Sequence, residues 1–151
     1  MSLLVSFEVL GLDLVGNVTL ALQVVILFLL VLGLPFVKGS GGKKNFVRHG
    51  YSTALAVVLH SVLIFGIMVP SFLGGWGDFG ALSYLDALNV FSHVVLGTVA
   101  EVLGVFLVVA WLREGPAVMA CGRWRRWMMP TFVIWVVSLV GGALIHILGM
   151  I

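Results

Sequence analysis

Residues 87–112 read ALNVFSHVVLGTVAEVLGVFLVVAWL, an apolar run long enough to cross a bilayer as one helix. Two ionisable residues interrupt it, His93 and Glu101. They are 101 − 93 = 8 positions apart, about two turns of an α-helix, so they lie on one face. Ionisable side chains are costly in hydrocarbon and therefore face the interior of a helix bundle. The stretch predicts a transmembrane helix with one polar, inward-facing side.

The rest of the chain repeats this pattern. Of its 151 residues, 62% are hydrophobic and only 9% are charged, and the mean hydropathy is +1.23. Four apolar runs, at about 16–37, 50–73, 87–112 and 128–150, each approach the roughly 20 residues that a spanning helix needs. The sequence therefore predicts an all-α membrane protein in which residues 1–151 form a single four-transmembrane-helix bundle. We expect it to be a multi-pass protein of the cell (plasma) membrane.

The charged residues predict how the bundle is oriented. All the basic residues follow the first or the third apolar run: Lys38, Lys43, Lys44, Arg48, Arg113, Arg123, Arg125 and Arg126. The amino-terminal segment and the loop after the second run carry acidic residues and no basic ones: Glu8, Asp13, Asp78 and Asp86. Basic residues concentrate in cytoplasmic loops. The predicted topology is therefore N-out and C-out, with the basic loops in the cytoplasm.

Two histidines on different helices lie at matching depth near the outer face. Counted from Arg113, His93 is 113 − 93 = 20 residues, or about 30 Å, from the inner membrane edge. Counted from Trp127, His146 is 146 − 127 = 19 residues, or about 28 Å, from the same edge. Histidines at one depth on separate helices are suited to binding a group placed between them.

A glycine lies one turn below each of these histidines, Gly97 under His93 and Gly142 under His146. A six-coordinate b-type haem takes one imidazole on each side of its iron, and small neighbours leave room for the macrocycle. The pattern predicts haem b as a cofactor, with His93 and His146 as axial ligands of the iron and Gly97 and Gly142 beside the macrocycle. Small residues at this spacing also have a simpler explanation, because they let membrane helices pack closely with nothing between them.

Other site chemistries have less support in the sequence. Zinc and copper normally take three or four ligands, and near the outer end only Asp78, Asp86 and Asn89 could add to the two histidines. No nucleophile, base and orienting group occur at one depth, and there is no phosphate loop or dinucleotide fingerprint. We therefore expect that the protein is not an enzyme.

A second polar level is predicted near the bilayer centre. His60 is 60 − 49 = 11 residues, about 16 Å, above His49, which marks the inner edge of the second helix. Glu101 is 113 − 101 = 12 residues, about 18 Å, above Arg113. We expect His60 and Glu101 to meet in the bundle interior, as a neutral hydrogen bond, as a proton relay if they titrate, or as a structural clamp between two helices.

Three stretches carry a resemblance to a known family: RHGYSTALAVV at 48–58, FSHVVLGT at 91–98 and RRWMMPTFVIWVVSLVGGALIHIL at 125–148. They resemble the small four-helix membrane proteins called domain of unknown function four-twenty, a family that includes assembly factors for haem-copper terminal oxidases. The resemblance runs from about residue 48 to the end. It implies a four-helix fold and functional roles for His49 and His93.

The chain also departs from the family pattern. A histidine usually stands just before the proline of the last helix, whereas Met128 and Met129 precede Pro130 here. If His49 belonged to a ligand pair at the inner side, its partner would be missing unless a methionine replaced it. The resemblance implies nothing about His60 or His146.

Two classes of function follow from these observations. The first is a small membrane b-type cytochrome or haem-binding subunit in respiratory electron transfer, which would exchange electrons with a quinone or a terminal oxidase. The second is an assembly or accessory factor for a haem-copper terminal oxidase. A haem-free structural subunit is a third reading. The expected partners are membrane lipid and another membrane protein or further copies of this chain, and no basic block indicates nucleic acid.

Overall fold

The computed structural model describes residues 2–38, 42–74, 80, 82–115 and 118–147, with side chains at 14–33, 46–74, 80, 82–115 and 123–147. Its helices are α1 (Ser2–Lys38), α2 (Gly42–Leu63), a π-helical turn (Ile64–Met68), α3 (Val69–Gly74), α4 (Tyr84–Glu114) and α5 (Val118–Ile147). Asp78 and the side chains of Glu8, Asp13, Lys38, Lys43 and Lys44 lie outside the described residues.

Four helical segments are long and apolar enough to cross a membrane: Leu14–Gly33, Phe46–Gly74, Tyr84–Glu114 and Arg123–Ile147. This confirms the predicted all-α, four-transmembrane-helix architecture. The segments match the predicted runs to within a few residues, because the length of each apolar run is set by the thickness of the bilayer.

The helices form two antiparallel pairs that pack side by side. α1 packs along α2 and α4 packs along α5, while α2 against α4 and α1 against α5 close the bundle. We call the end that holds Leu14, Tyr84 and Ile147 the outer end and the end that holds Phe46 and Glu114 the inner end. These names follow the predicted orientation, which stays a prediction.

Both ends of α4 are defined by local chemistry. At its start Ser83 has an extended backbone, and its hydroxyl accepts a hydrogen bond from the Asp86 backbone N–H at 3.3 Å and donates to Asp86 Oδ2 at 2.6 Å. This is an N-cap with a carboxylate in the first turn, where the helix dipole favours negative charge. At its other end Gly115 has φ +78°, a conformation that glycine adopts without strain and that stops the helix.

A π-helical turn separates α2 from α3. In it the Val69 backbone N–H donates to Ile64 O, five residues back. Pro70 follows at once and has no N–H to donate to the carbonyl of Gly66 four residues earlier. The wider turn accommodates the proline while the segment continues as a helix to Gly74.

The basic cluster that follows the third apolar run lies inside a helix, which corrects its assignment to a loop. α5 begins at Val118, so Arg123, Arg125 and Arg126 occupy its first turns. Arg123 Nη1 donates to Glu114 Oε1 at 3.1 Å, and this contact joins the inner ends of α4 and α5. The sequence suggested a loop because of its glycine and charge, but helix continues there because only two residues, 116–117, separate the described parts of α4 and α5.

The buried core lies in the middle and inner part of the bundle. Every long helix contributes to it: Ile26, Leu30, Ala56, Val57, Leu63, Ala100 and Trp135. Small residues on α2 and α4 face larger ones on α1 and α5, so the helices approach closely at these positions. This core surrounds a small set of buried polar side chains, which form the candidate site.

Candidate functional site

The central feature is a polar cluster that joins α2 to α4 in the bundle interior. His60 Nδ1 and Glu101 Oε2 are 2.8 Å apart, and the Ser61 hydroxyl donates to the other carboxylate oxygen, Oε1. His60 is 5% exposed and Glu101 is 7% exposed. The predicted contact between these two residues is therefore present and faces the bundle interior. We call His60, Ser61 and Glu101 the central cluster.

The surroundings of the central cluster are apolar. The Trp135 ring of α5 packs on the His60 imidazole with ring centroids 4.7 Å apart. Trp135 itself fits against Gly104, where an added Cβ would lie 2.9 Å from its ring. Low polarity strengthens the hydrogen bonds to Glu101, and it also makes a charge without a partner costly. The carboxyl group consequently depends on its two α2 partners, the His60 imidazole and the Ser61 hydroxyl.

His93 belongs to a contact between α4 and α5. Its Nδ1–H donates to Ser138 O at 2.8 Å, and the Ser138 hydroxyl lies 3.4 Å from the same nitrogen and donates to His93 O at 3.3 Å. The imidazole lies against Gly142, where an added Cβ would be 2.7 Å from Cε1. His93 therefore closes the α4–α5 interface at this point.

His146 belongs to a different contact, between α5 and α1. Its Nε2 lies 3.1 Å from Asn17 Oδ1, and its ring packs on Gly16, where an added Cβ would be 2.6 Å from Cε1. The outer ends of the first and last helices are held together here. Equal depth on two helices did not bring His93 and His146 into one contact, because each is bound to a different neighbour.

The haem prediction can be tested against the space beside the two glycines. The Gly142 position is filled by the His93 imidazole, and a Cβ on Gly97 would be 3.1 Å from the Ser138 hydroxyl. In this arrangement the glycines do not leave a gap for a macrocycle, and the present residues do not fit a haem between His93 and His146. Haem ligation stays a prediction that requires both imidazoles to leave their partners.

His49 lies at the inner end and contacts α1. Its Nδ1 is 3.0 Å from Gly33 O, and Ser52 donates to Leu29 O at 2.9 Å one turn further along. Both side chains bond to backbone carbonyls of α1, so they stabilise the α1–α2 pair. The functional role that the family resemblance implied for His49 stays a prediction.

Metal binding by side chains alone finds no further support in the described part of the chain. No group of three or more His, Cys, Asp or Glu side chains comes together there. The zinc or copper alternative would need ligands from the residues whose positions are not described.

Sequence reasoning missed several polar side chains that lie in the interior or bond to the histidines and Glu101. They are Asn17, Thr19, Gln23, Ser61 and Ser138. The signal on α1 was present: Gly16, Thr19, Gln23 and Ile26 recur every three or four residues and so share one face. Ser61 had no such signal, because adjacent residues on a helix point about 100° apart.

Comparisons with known proteins do not identify a family. No family model, curated protein or solved structure matches this chain. The resemblance to the domain of unknown function four-twenty therefore stays a prediction, and the functional argument rests on the geometry of the central cluster.

Proposed function

We propose that the protein transfers protons within the membrane, and that the central cluster is the group that takes them up and releases them. The observation that carries this proposal is a carboxyl group, Glu101, buried in a transmembrane bundle and bonded to an imidazole and a hydroxyl. Ionisable residues in such positions commonly serve proton relays and ion pathways. Such a relay would suit a subunit or accessory factor of a respiratory complex.

The chemistry of the pair suits a proton that moves. A proton on Glu101 Oε2 can pass to His60 Nδ1 over 2.8 Å, which converts a neutral pair into an ion pair without changing the total charge. Burying two charges is costly, and their attraction at short range offsets much of that cost. The two states are therefore closer in energy than an isolated buried charge would be. Ser61 donates to the carboxyl group in either state.

Infrared difference spectroscopy tests this proposal directly. A protonated carboxylic acid in apolar surroundings has a carbonyl stretch separate from that of a carboxylate, and we expect this band to change with pH in the reconstituted protein. Glu101→Gln should remove the band. Glu114→Gln is the matched control, since Glu114 lies on the same helix but pairs with Arg123 at the inner end.

A purely structural clamp gives a different result in the same measurement. In that case Glu101 would keep one protonation state across the accessible pH range, and the spectra would be the same before and after titration. A pH-dependent band that survives Glu101→Gln would also overturn the proposal, because the titrating group would then be elsewhere.

Haem binding stays a second proposal from the sequence: His93 and His146 lie on two helices that pack along each other, and both imidazoles would have to leave Ser138 and Asn17 to hold a haem between them. Haem b held by both imidazoles would make the protein a small b-type cytochrome, with electron transfer as its function. It would give a low-spin, six-coordinate spectrum that either His93→Ala or His146→Ala abolishes. If the purified protein lacked such a spectrum, haem binding would be excluded. The remaining functions would then be proton transfer, an accessory or assembly factor, or a structural subunit.

A further inference from the structure

The polar groups of the interior are distributed unevenly along the bundle. We infer that protons reach the central cluster from the outer end only, along a path formed by His93, Ser138 and the polar face of α1. This inference rests on the proposed function and adds to it the side of access. Three observations support it.

The first observation is a stepping group between His93 and Glu101. These two residues and Gly97 recur every four positions on one face of α4. Ser138, which is 4% exposed, places its hydroxyl at Gly97, as the 3.1 Å approach to a Cβ there indicates. The level of Gly97 is four residues, about 6 Å, from the levels of both His93 and Glu101. A single water molecule spans such a gap.

The second observation is a pair of buried oxygens without a protein partner. Thr19 Oγ1 and Gln23 Oε1 are buried, and no described residue donates to either. Gln23 is 8% exposed and lies one turn from Thr19 on the inward face of α1. Buried polar oxygens in native proteins are satisfied by protein groups or by ordered water, so this face binds water.

Gln23 lies at the level of the central cluster. Ser52 bonds to Leu29 O, which aligns α2 with α1 at that height. Counted toward the outer end, Gln23 is 29 − 23 = 6 residues, about 9 Å, from Leu29. Counted in the same direction, His60 is 60 − 52 = 8 residues, about 12 Å, from Ser52. The two levels differ by about 3 Å. Water bound at Gln23 is therefore at the height of His60 and Glu101.

The third observation is that the described part of the inner half shows no equivalent path. Ile26, Leu30, Ala56 and Val57 fill the interior below the central cluster. Of the polar side chains of that half, His49 and Ser52 bond to backbone carbonyls of α1, and the buried Thr131 donates to Trp127 O within α5.

Two indole N–H groups in the interior, on Trp111 and Trp135, have no acceptor among the described residues. An indole N–H donates and cannot accept, so it cannot pass a proton on. The inner half therefore holds polar groups without a transfer route to the central cluster.

The proton steps balance along the outer path. His93 Nδ1–H bonds to Ser138 O, so a proton arriving at Nε2 forms the imidazolium, which releases its Nδ1 proton to the Ser138 hydroxyl. That hydroxyl, which donates to His93 O at rest, turns and passes its own proton through water to the Glu101 carboxylate. His93 gains one proton at Nε2 and loses one at Nδ1, the Glu101 carboxylate becomes the acid, and no electrons move. The titratable groups that face this path are His60, His93, Glu101 and, against Gly16 of α1, His146, while α1 and α5 contribute the neutral Thr19, Gln23, Ser138 and Trp135.

Thiol accessibility tests the path independently of proton transfer. In a Cys121→Ser background, Thr19→Cys and Gln23→Cys should react with a small, charged methanethiosulfonate reagent added to the side of the outer end. Ile26→Cys and Leu30→Cys should not react from either side. Equal reactivity at all four positions, or reaction only from the inner side, would overturn the inference and leave the proposed function standing.

Kinetics test the role of Ser138. After a pH jump on the outer side of oriented proteoliposomes, Ser138→Ala should slow the change of the Glu101 infrared band by about tenfold, which corresponds to roughly 1.4 kcal/mol on the barrier. Ser52→Ala is the matched control from the inner half and should not slow it. The final amplitude should be unchanged in both variants, which confirms that each is folded.

Three results would contradict the inference or the proposed function on which it rests. Equal slowing by Ser138→Ala and Ser52→Ala, or equal rates after inner and outer jumps, would overturn the access route alone. A Glu101 band that never titrates would overturn the proposed function as well.

Discussion

The outer and inner halves of the bundle interior are built from different chemistry on the same helix face. Along α1 the outer half presents Gly16, Thr19 and Gln23 to its neighbours, and the inner half presents Ile26 and Leu30. Polar side chains bond between helices in both halves, but the interior next to the central cluster is apolar on the inner side. Because lipid gives helices no hydrophobic drive to associate, each half must supply its own specific contacts.

Both halves nevertheless use one packing device, a flat ring against a glycine. In the outer half the rings are imidazoles, His146 on Gly16 and His93 on Gly142. In the inner half the rings are of both kinds, the indole of Trp135 on Gly104 and the imidazole of His49 on Gly33. An imidazole can accept and donate a proton, and an indole can only donate. The difference between the halves therefore lies in Ile26, Ala56 and Val57, the apolar side chains between His49 and the central cluster.

Orientation gives the largest expected effect, because labelling is all or none. In a Cys121→Ser background, Gly80→Cys should react with a membrane-impermeant maleimide added to intact cells, and Arg125→Cys should react only after permeabilisation. Both positions are exposed and lie at opposite ends of the bundle. The reason is the concentration of basic residues at one end. The opposite labelling would reverse the topology, and the polar half would then open to the cytoplasm.

The second largest effect is expected from exchanging polar and apolar side chains at neighbouring positions of α1. Ile26→Gln places an amide in the fully buried inner core without a partner and should lower the free energy of unfolding by about 3 kcal/mol. Gln23→Leu removes an oxygen that has no protein partner and should change it by less than about 1 kcal/mol. Denaturation by SDS in mixed micelles measures both. If both variants lost the same free energy of unfolding, the two halves would tolerate a change of side-chain polarity equally well.

The sequence predicted the fold and the central contact because both depend on lengths. Bilayer thickness sets the apolar run, and a rise of about 1.5 Å per residue sets the height, so His60 and Glu101 could be matched across helices. The rotation of each helix about its axis does not follow from height. Counting placed His93 and His146 at one depth, whereas in the structure His93 lies against Gly142, one turn below His146. Their partners, Ser138 and Asn17, depend on rotation and emerged only from the structure.

Removing one side of the central contact should have the next largest effect. Glu101→Leu leaves the buried His60 without its partner, while the partly buried Ser61 keeps Val57 O as an acceptor, and it should lower the free energy of unfolding by about 2 kcal/mol. Adding His60→Leu should recover part of the loss, with a coupling energy of about 1 kcal/mol. Thr98→Val is the control, since Thr98 is exposed and bonds within its own helix. Strictly additive effects would mean that the two residues do not support each other.

The smallest effect expected concerns the glycine against which His93 packs. Gly142→Ala puts a Cβ 2.7 Å from His93 Cε1, so the imidazole must shift away from Ser138 O, and the free energy of unfolding should fall by about 1 kcal/mol. Gly66→Ala is the matched control, because an added Cβ there meets nothing within 4 Å.

The same variant also separates packing from haem binding. If His93 packs on Gly142 in the working protein, the alanine lowers the thermal unfolding midpoint of protein purified without haem. If a macrocycle occupies that space in the working protein, the alanine instead reduces the haem content of the purified protein. The first outcome would place His93 in the polar path of the outer half, and the second would replace that path with a cofactor site.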